Sequence, residues 1–211
     1  MHKKRTIATY GVGGHAELLE LSLPTFERYA SLHGYDLQVV SCECDGRPPA
    51  WGKIPALQKL LETHDEVLWL DADVLIVSPE EDLASLVPET SLQALTVHVN
   101  KTRSVVPNTG VWLVRPGMLP YLAQAWEMTH HTHHAWWEQA AIIELMGYSL
   151  RGIMSTPPKK PNELYLRTFQ LPAHWNVHLA DTTSLASHPR IRHALGDCDT
   201  KLRRMREWLA A

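Results

Sequence analysis

The chain has 211 residues, 45% of them hydrophobic and 20% charged, with a formal net charge of −3. A domain of this size buries most of its apolar surface without staples, which excludes a disordered chain or a disulfide-dependent mini-protein. The near-neutral balance excludes nucleic-acid binding by phosphate neutralisation, and three cysteines (Cys42, Cys44, Cys198) fit a reducing compartment better than a disulfide framework or zinc knuckle.

Residues 1–5 are basic, but Thr6-Ile7-Ala8-Thr9-Tyr10 and then glycines follow, so no signal-peptide core forms. No apolar run reaches the length of about 18–20 residues that a spanning helix needs. A soluble, cytoplasmic protein is expected.

Residues 6–10 read as a short buried strand, ended by Gly11-Val12-Gly13-Gly14. Residues 15–33 read as a helix, with Leu18, Leu19, Phe26, Tyr29 and Ala30 near helical spacing. Pro24 inside it predicts a kink or split, and Gly34 a C-terminal stop. Residues 35–41 form a second strand. After a loop rich in Pro and Gly, residues 54–64 form a helix with Ile54, Leu57, Leu60 and Leu61 on one face. The most apolar strand, Val67-Leu68-Trp69-Leu70, then runs straight into Asp71-Ala72-Asp73. Further strands are expected over 93–99 and 111–114, and helices over 118–128 and 137–146. Such alternation indicates an α/β fold with a parallel sheet of Rossmann-like type. Ligands of these sheets bind at the carboxyl ends of strands, where Tyr10, Asp71 and Asp73 fall. Residues 1–211 read as one domain, with a core over 1–156. Residues 157–211 wrap back over the site.

Asp71-Ala72-Asp73 is the strongest chemical feature. Two carboxylates around a small residue make a hard oxygen site for Mg²⁺ or Mn²⁺. Strand alternation separates the two side chains, so the chain must leave regular strand geometry here, or the two carboxylates must bind different things. Lys53, 18 residues before Asp71 on the preceding helix, offers a fixed positive charge near a nucleotide; a solvated lysine is the competing reading.

Trp51-Gly52-Lys53-Ile54 followed by Glu66-Val67-Leu68-Trp69-Leu70-Asp71-Ala72-Asp73 resembles the GT-A class of nucleotide-sugar glycosyltransferases with its DXD motif. The pattern is similar to the galactosyltransferase and mannosyltransferase family of fungi and plant xyloglucan xylosyltransferases, and to bacterial retaining galactosyltransferases. Asn108-Thr109-Gly110 resembles the strand beside the donor sugar, and Trp136-Trp137-Glu138-Gln139 the segment that contacts sugar hydroxyls. Trp175-Asn176 resembles a following loop, and His193-Ala194-Leu195-Gly196 the late motif that supplies a third metal ligand.

The resemblance implies a GT-A Rossmann-like sandwich with a mostly parallel central sheet flanked by helices. It implies an Mn²⁺ or Mg²⁺ ion on Asp71, Asp73 and His193, the last supplied by residues 157–211. Nucleotide contacts fall on Thr9, Tyr10, Lys53, Asp71 and Ala72. Donor-sugar contacts fall on Asn108, Thr109, Glu138 and Gln139, with Glu138 and Gln139 as the catalytic candidates and retention of configuration as the outcome. The expected donor is a UDP-hexose, with GDP-mannose as the alternative. The acceptor is a hydroxyl of a glycan, a lipid-linked sugar or a small natural product. Members with a membrane anchor make this chain look like a minimal cytoplasmic catalytic domain. It departs from the pattern by carrying His98 or Asn100 where bacterial relatives tend to have an acidic residue, and by lacking Lys-Pro-Trp after the late His.

Trp136 and Trp137 are candidates to stack on an acceptor sugar, with core packing as the plainer reading. His130 and His134, four apart, invite a metal, although an exposed loop between helices is favoured. His178 and His188 are alternative metal ligands. The basic amphipathic tail 201–209 reads as a solvated helix or as a membrane contact. Two other functions compete with this reading. One is a haloacid-dehalogenase-like phosphatase with Asp71 as nucleophile, Asp73 as acid/base and Gly196-Asp197-Cys198-Asp199 as its late acidic motif. The other is a nucleotide-sugar binding module without catalysis.

Overall fold

The computed structural model describes residues 3–99, 103–178 and 188–211; Asn100 lies outside them. In chain order, β1 (Arg5–Thr9), α1 (His15–His33), β2 (Asp36–Val39), α2 (Lys53–Leu61), β3 (Glu66–Leu70) and β4 (Val74–Ile76) build the first half. They are followed by β5 (Gln93–Val99), β6 (Val105–Val114), α3 (Leu119–Glu127), α4 (Trp137–Leu145), β7 (Ser149–Arg151) and β8 (Met154–Thr156). Then come α5 (Glu163–Leu166), β9 (Thr168–Leu171), β10 (Ile191–His193) and α6 (Cys198–Leu209).

Among the described residues the central sheet has six strands in the order β2-β1-β3-β6-β5-β9. β1 is parallel to β2 and β3, and β5 to β9. The sheet is mostly parallel, as expected, but β6 runs antiparallel to both neighbours. Its link to β5 is too short for the crossover of a dozen or more residues that a parallel return requires. The carboxyl ends of β1 and β3 lie side by side, where the chain turns to opposite edges of the sheet.

Strand alternation divides the core. Leu68 and Leu70 pack on the α1 face with Phe26 and Tyr29. Val67 and Trp69 pack on the other face with Ile54, Leu57 and Leu122. All five residues of β3 are buried, as a strand covered by helices on both faces demands.

One expectation is corrected. α1 runs unbroken through Pro24. Proline removes the N–H that would bond the carbonyl four residues back and crowds that carbonyl with its ring. Tertiary ties hold the turn around it: Ser22 Oγ donates to Ala72 O (2.8 Å), and Thr25 Oγ1 accepts from Ile76 N–H (3.3 Å). The basic tail docks on the body of the protein. α6 lays Leu202, Met205 and Trp208 against the α1 core, and the Arg192 guanidinium covers the Trp208 ring at 5.4 Å. None of the described helices is long and apolar enough to cross a membrane.

Candidate active site

β3 ends at Leu70, and β4, four residues later, leaves the central sheet to pair antiparallel with β10. The carboxylate pair sits in this break. Asp71 continues the alternation of Val67 and Trp69 and faces α2. Trp69 Nε1–H donates to its Oδ1 at 2.7 Å, and Lys53 Nζ stands 2.9 Å from the same oxygen. Asp73 turns toward β10 and α6 instead. His193 Nε2 lies 3.3 Å from Asp73 Oδ1, and Lys201 Nζ 2.7 Å from its Oδ2.

β6 brings the third wall. The β5–β6 register shifts between Leu95 and Thr96, which pair with Trp112 and Asn108. The extra residues on β6 include Thr109 and Gly110, and Gly110 O accepts from Asp71 N–H at 2.9 Å. Asn108 Oδ1 accepts from Gly110 N–H (2.9 Å) and from Asn176 Nδ2 (2.8 Å). Asn176 Oδ1 in turn meets His193 Nδ1 at 3.0 Å. Thr109 bonds α4 twice, its N–H to Gln139 Oε1 (3.3 Å) and its Oγ1 to Glu138 Oε1 (3.2 Å).

Lys53 is 3% exposed and Glu138 also 3%. The lysine is therefore a buried hub. Its Nζ lies 2.9 Å from Glu138 Oε1 and 3.2 Å from Thr109 O. Burial opposes its charge, but Asp71 and Glu138 outweigh that and hold its pKa above the ordinary lysine value. Burial also pushes the Glu138 carboxyl up, only partly offset by Lys53. Asp73 is buried as well, yet His193 and Lys201 hold its carboxyl below the usual range.

These groups line a cleft of about 630 Å³. Tyr10, Pro49 and Ala50 form one wall, and Tyr10 O–H donates to the Pro49 carbonyl. Trp136 and Trp137 stand elsewhere on the lining, Trp137 45% exposed and at φ 44°, a left-handed backbone rare for a bulky residue. His98 and His178 also line the cleft, with ring centroids 3.8 Å apart.

Residues 12–112 match the model of the galactosyl transferase GMA12/MNN10 family. Across the whole fold, the chain is similar to a glycosyltransferase involved in glycosylation of the major capsid of the virus PBCV-1. That likeness has a TM-score of 0.73 and 16% identity, and covers 96% of this chain and 99% of the other. The chain is a GT-A-fold glycosyltransferase. Two further neighbours agree on the fold. The galactosyltransferase LgtC, solved with donor and acceptor sugar analogues, gives a TM-score of 0.59 at 13% identity, covering 97% of this chain and 95% of that one. Mouse xyloside xylosyltransferase 1 gives 0.55 at 10% identity, covering 93% and 99%. No curated protein matches the glycosyltransferase by sequence. With this fold and family match, the phosphatase and binding-module readings are not favoured. Asp197, of the late acidic motif, instead caps α6 by accepting from Thr200 N–H at 2.8 Å.

Most sequence-predicted residues of the glycosyltransferase meet in the cleft: Tyr10, Lys53, Asp71, Ala72, Asp73, Asn108, Thr109, Trp136, Trp137, Glu138, Gln139 and His193. Thr9 does not. It is fully buried, and its hydroxyl takes no hydrogen-bond partner among the described residues. Asp71, Asp73 and His193 can place ligand atoms within 4.8 Å of one another. His178 stands beside them, its ring 6.1 Å from that of His193. His188 is not among the lining residues. Lys201 was missed as a site residue, because a lysine on a basic amphipathic helix carries no sign that it points inward.

Proposed function

We propose that this glycosyltransferase moves a hexosyl group from a nucleotide sugar, UDP-hexose in preference to GDP-mannose, to a hydroxyl acceptor with retention of configuration. The reaction depends on Mn²⁺ or Mg²⁺. The observation that carries the reading is the convergence of Asp71, Asp73 and His193 at the carboxyl end of β3, in the cleft that holds Lys53 and Glu138. The residues fit such an ion. Two carboxylates and one imidazole suit a hard-to-borderline divalent cation. Gly110 also keeps space open beside them: a Cβ there would meet His193 Cε1 at 2.5 Å and Asp71 Oδ2 at 3.0 Å. When bound, the ion supplies Lewis-acid charge to a departing diphosphate.

The protein side chains then divide the remaining work. Asn176 accepts the Nδ1 proton of His193 and so presents the Nε2 lone pair toward Asp73. Lys53 holds Asp71 and Glu138 in place and balances their charge. Glu138 already engages Lys53 and Thr109 through Oε1, which favours an electrostatic stabiliser of the oxocarbenium-like state over a nucleophile. Gln139 accepts at Oε1 from Thr109 N–H, leaving its amide nitrogen to donate to a sugar hydroxyl beside Asn108 and Thr109. Tyr10 and Ala72 take the nucleotide. Trp136 and Trp137 offer aromatic faces to a sugar acceptor: a glycan, a lipid-linked sugar or a small natural product. A cytoplasmic setting goes with this reading, since Cys42, Cys44 and Cys198 are all free thiols.

The test is a panel of nucleotide sugars with Mn²⁺, followed by thermal shift and release of free nucleotide. Stabilisation by UDP or a UDP-hexose that disappears with chelator, together with slow hydrolysis lost in Asp71→Asn, is the expected result. Nucleotide binding without hydrolysis or transfer overturns the enzymatic reading. Turnover of p-nitrophenyl phosphate lost in Asp71→Asn, with no response to nucleotides, overturns it in favour of a phosphatase.

A further inference from the structure

The connection between α3 and α4 gathers a second set of metal-ligating side chains, none of which lines the cleft. His130 and His131 lie on a single 3-10 turn (Thr129–His131), and Glu144 lies near the C-terminal end of α4. Both imidazoles aim Nε2 at one carboxylate oxygen. His130 Nε2 is 3.3 Å and His131 Nε2 2.6 Å from Glu144 Oε2. The pair expected from spacing, His130 with His134, does not form this group. His134 Nδ1 instead accepts from Trp136 N–H (3.0 Å), and its Nε2 meets Gly152 O (2.9 Å), so both nitrogens are engaged.

We propose that His130, His131 and Glu144 form a binding site for a borderline transition-metal ion of the Zn²⁺ class, separate from the Asp71 group. Tetrahedral zinc with bonds of about 2.0–2.1 Å sets its ligand atoms about 3.3 Å apart. The His130–Glu144 distance of 3.3 Å already meets that value. The His131–Glu144 contact needs to open by a fraction of an ångström, within reach of a carboxylate that is 44% exposed. All three ligand atoms fit within 4.8 Å. Coordination uses the tautomer with its proton on Nδ1 in each histidine, and the exposed side of the group leaves the fourth position to water.

Donor chemistry separates this site from the one in the cleft. Two imidazoles and one carboxylate favour zinc, nickel or copper, whereas two carboxylates and one imidazole tolerate manganese or magnesium. The position also gives the ion a consequence. His131 and Glu144 bracket the segment that carries Trp136, Trp137, Glu138 and Gln139 into the cleft. An ion joining them clamps both ends of that segment, while Thr132 O accepts from Trp51 Nε1 (3.2 Å) in between. Shortening the free loop lowers the entropy lost when this wall is ordered.

The experiment titrates untagged full-length protein with Zn²⁺ alone, reading stoichiometry by calorimetry and geometry by the visible spectrum after Co²⁺ substitution. His130 is exposed, so His130→Ala/Glu144→Gln is expected to fold, which circular dichroism checks. Asp71→Asn/Asp73→Asn removes the other site. The expected result is a zinc stoichiometry lower by one in His130→Ala/Glu144→Gln than in the parent, with a tetrahedral Co²⁺ spectrum retained in Asp71→Asn/Asp73→Asn. Zinc should raise the melting temperature of that second variant by several degrees. Equal zinc stoichiometry in the parent and His130→Ala/Glu144→Gln overturns the proposal, as does the absence of zinc binding in Asp71→Asn/Asp73→Asn.

Discussion

Lys201 Nζ lies 2.7 Å from Asp73 Oδ2, so the C-terminal helix delivers an ammonium group onto the second carboxylate of the site. In the absence of an ion, that ammonium balances the buried charge. Under the proposed metal dependence it also competes with the divalent cation for the same oxygen.

Lys201→Met therefore lowers stability without metal and raises the affinity for it. Removing one member of a mostly buried pair costs about 1–3 kcal/mol. We expect that loss in urea unfolding with EDTA present. With Mn²⁺ the loss shrinks, and the apparent metal affinity measured by calorimetry rises several-fold. Equal destabilisation in both conditions refutes the competition.

Lys53 and Glu138 form a second dependent pair. Lys53→Met leaves Asp71 and Glu138 without their shared cation and costs about 3–5 kcal/mol. Adding Glu138→Gln removes one stranded charge and restores part of the stability. A double-mutant cycle by urea denaturation should yield a coupling of about 1–3 kcal/mol. Additive effects contradict the pairing.

Gly110→Ala tests the space beside the carboxylates. Its Cβ falls 2.5 Å from His193 Cε1, closer than carbon atoms approach, so the imidazole must move. Circular dichroism should stay native. The thermal stabilisation by Mn²⁺ should fall at least tenfold in apparent affinity, and a full Mn²⁺ response in this variant would exclude the assignment.

Asp73 gives the site an acid limit. Its pKa is depressed in the folded chain by His193 and Lys201. The folded state binds fewer protons here than the unfolded one, so this stability is fully present above the ordinary aspartate value of about 3.9 and is lost as pH falls below it. Urea unfolding between about pH 2 and 5 should show a shallower acid slope in Asp73→Asn than in the parent.

Much of this arrangement can be read from the chain because local periodicity carries it. The α1 boundaries at His15 and His33 follow from helical spacing and Gly34. β5 over Gln93–Val99 follows from its apolar run. Alternation along β3 places Asp71 on the Trp69 face, which is also the face of α2, so the Lys53 contact follows from the same rule. β4 and β10 are different. Strands of three residues show no period, and their pairing joins distant parts of the chain. Pro24 misleads because local propensity yields to packing on the sheet. The two histidine groups come from tertiary approach: His98 meets His178, and His130 and His131 meet Glu144.

The docking of α6 also sets a timetable. Lys201 Nζ approaches His15 Nε2 at 3.3 Å across 186 residues of sequence, and a side chain at Gly14 would run into Cys198 Sγ at 2.7 Å. A ribosome releases Asp71 and Asp73 long before His193 and Lys201 emerge. At synthesis rates of about 5–20 residues per second, Asp73 waits several seconds or more for its partners, whereas Asp71 follows its partner Lys53 off the ribosome. Over that interval the nascent chain holds the residues of its central sheet, while the side chains that meet Asp73 are still to come.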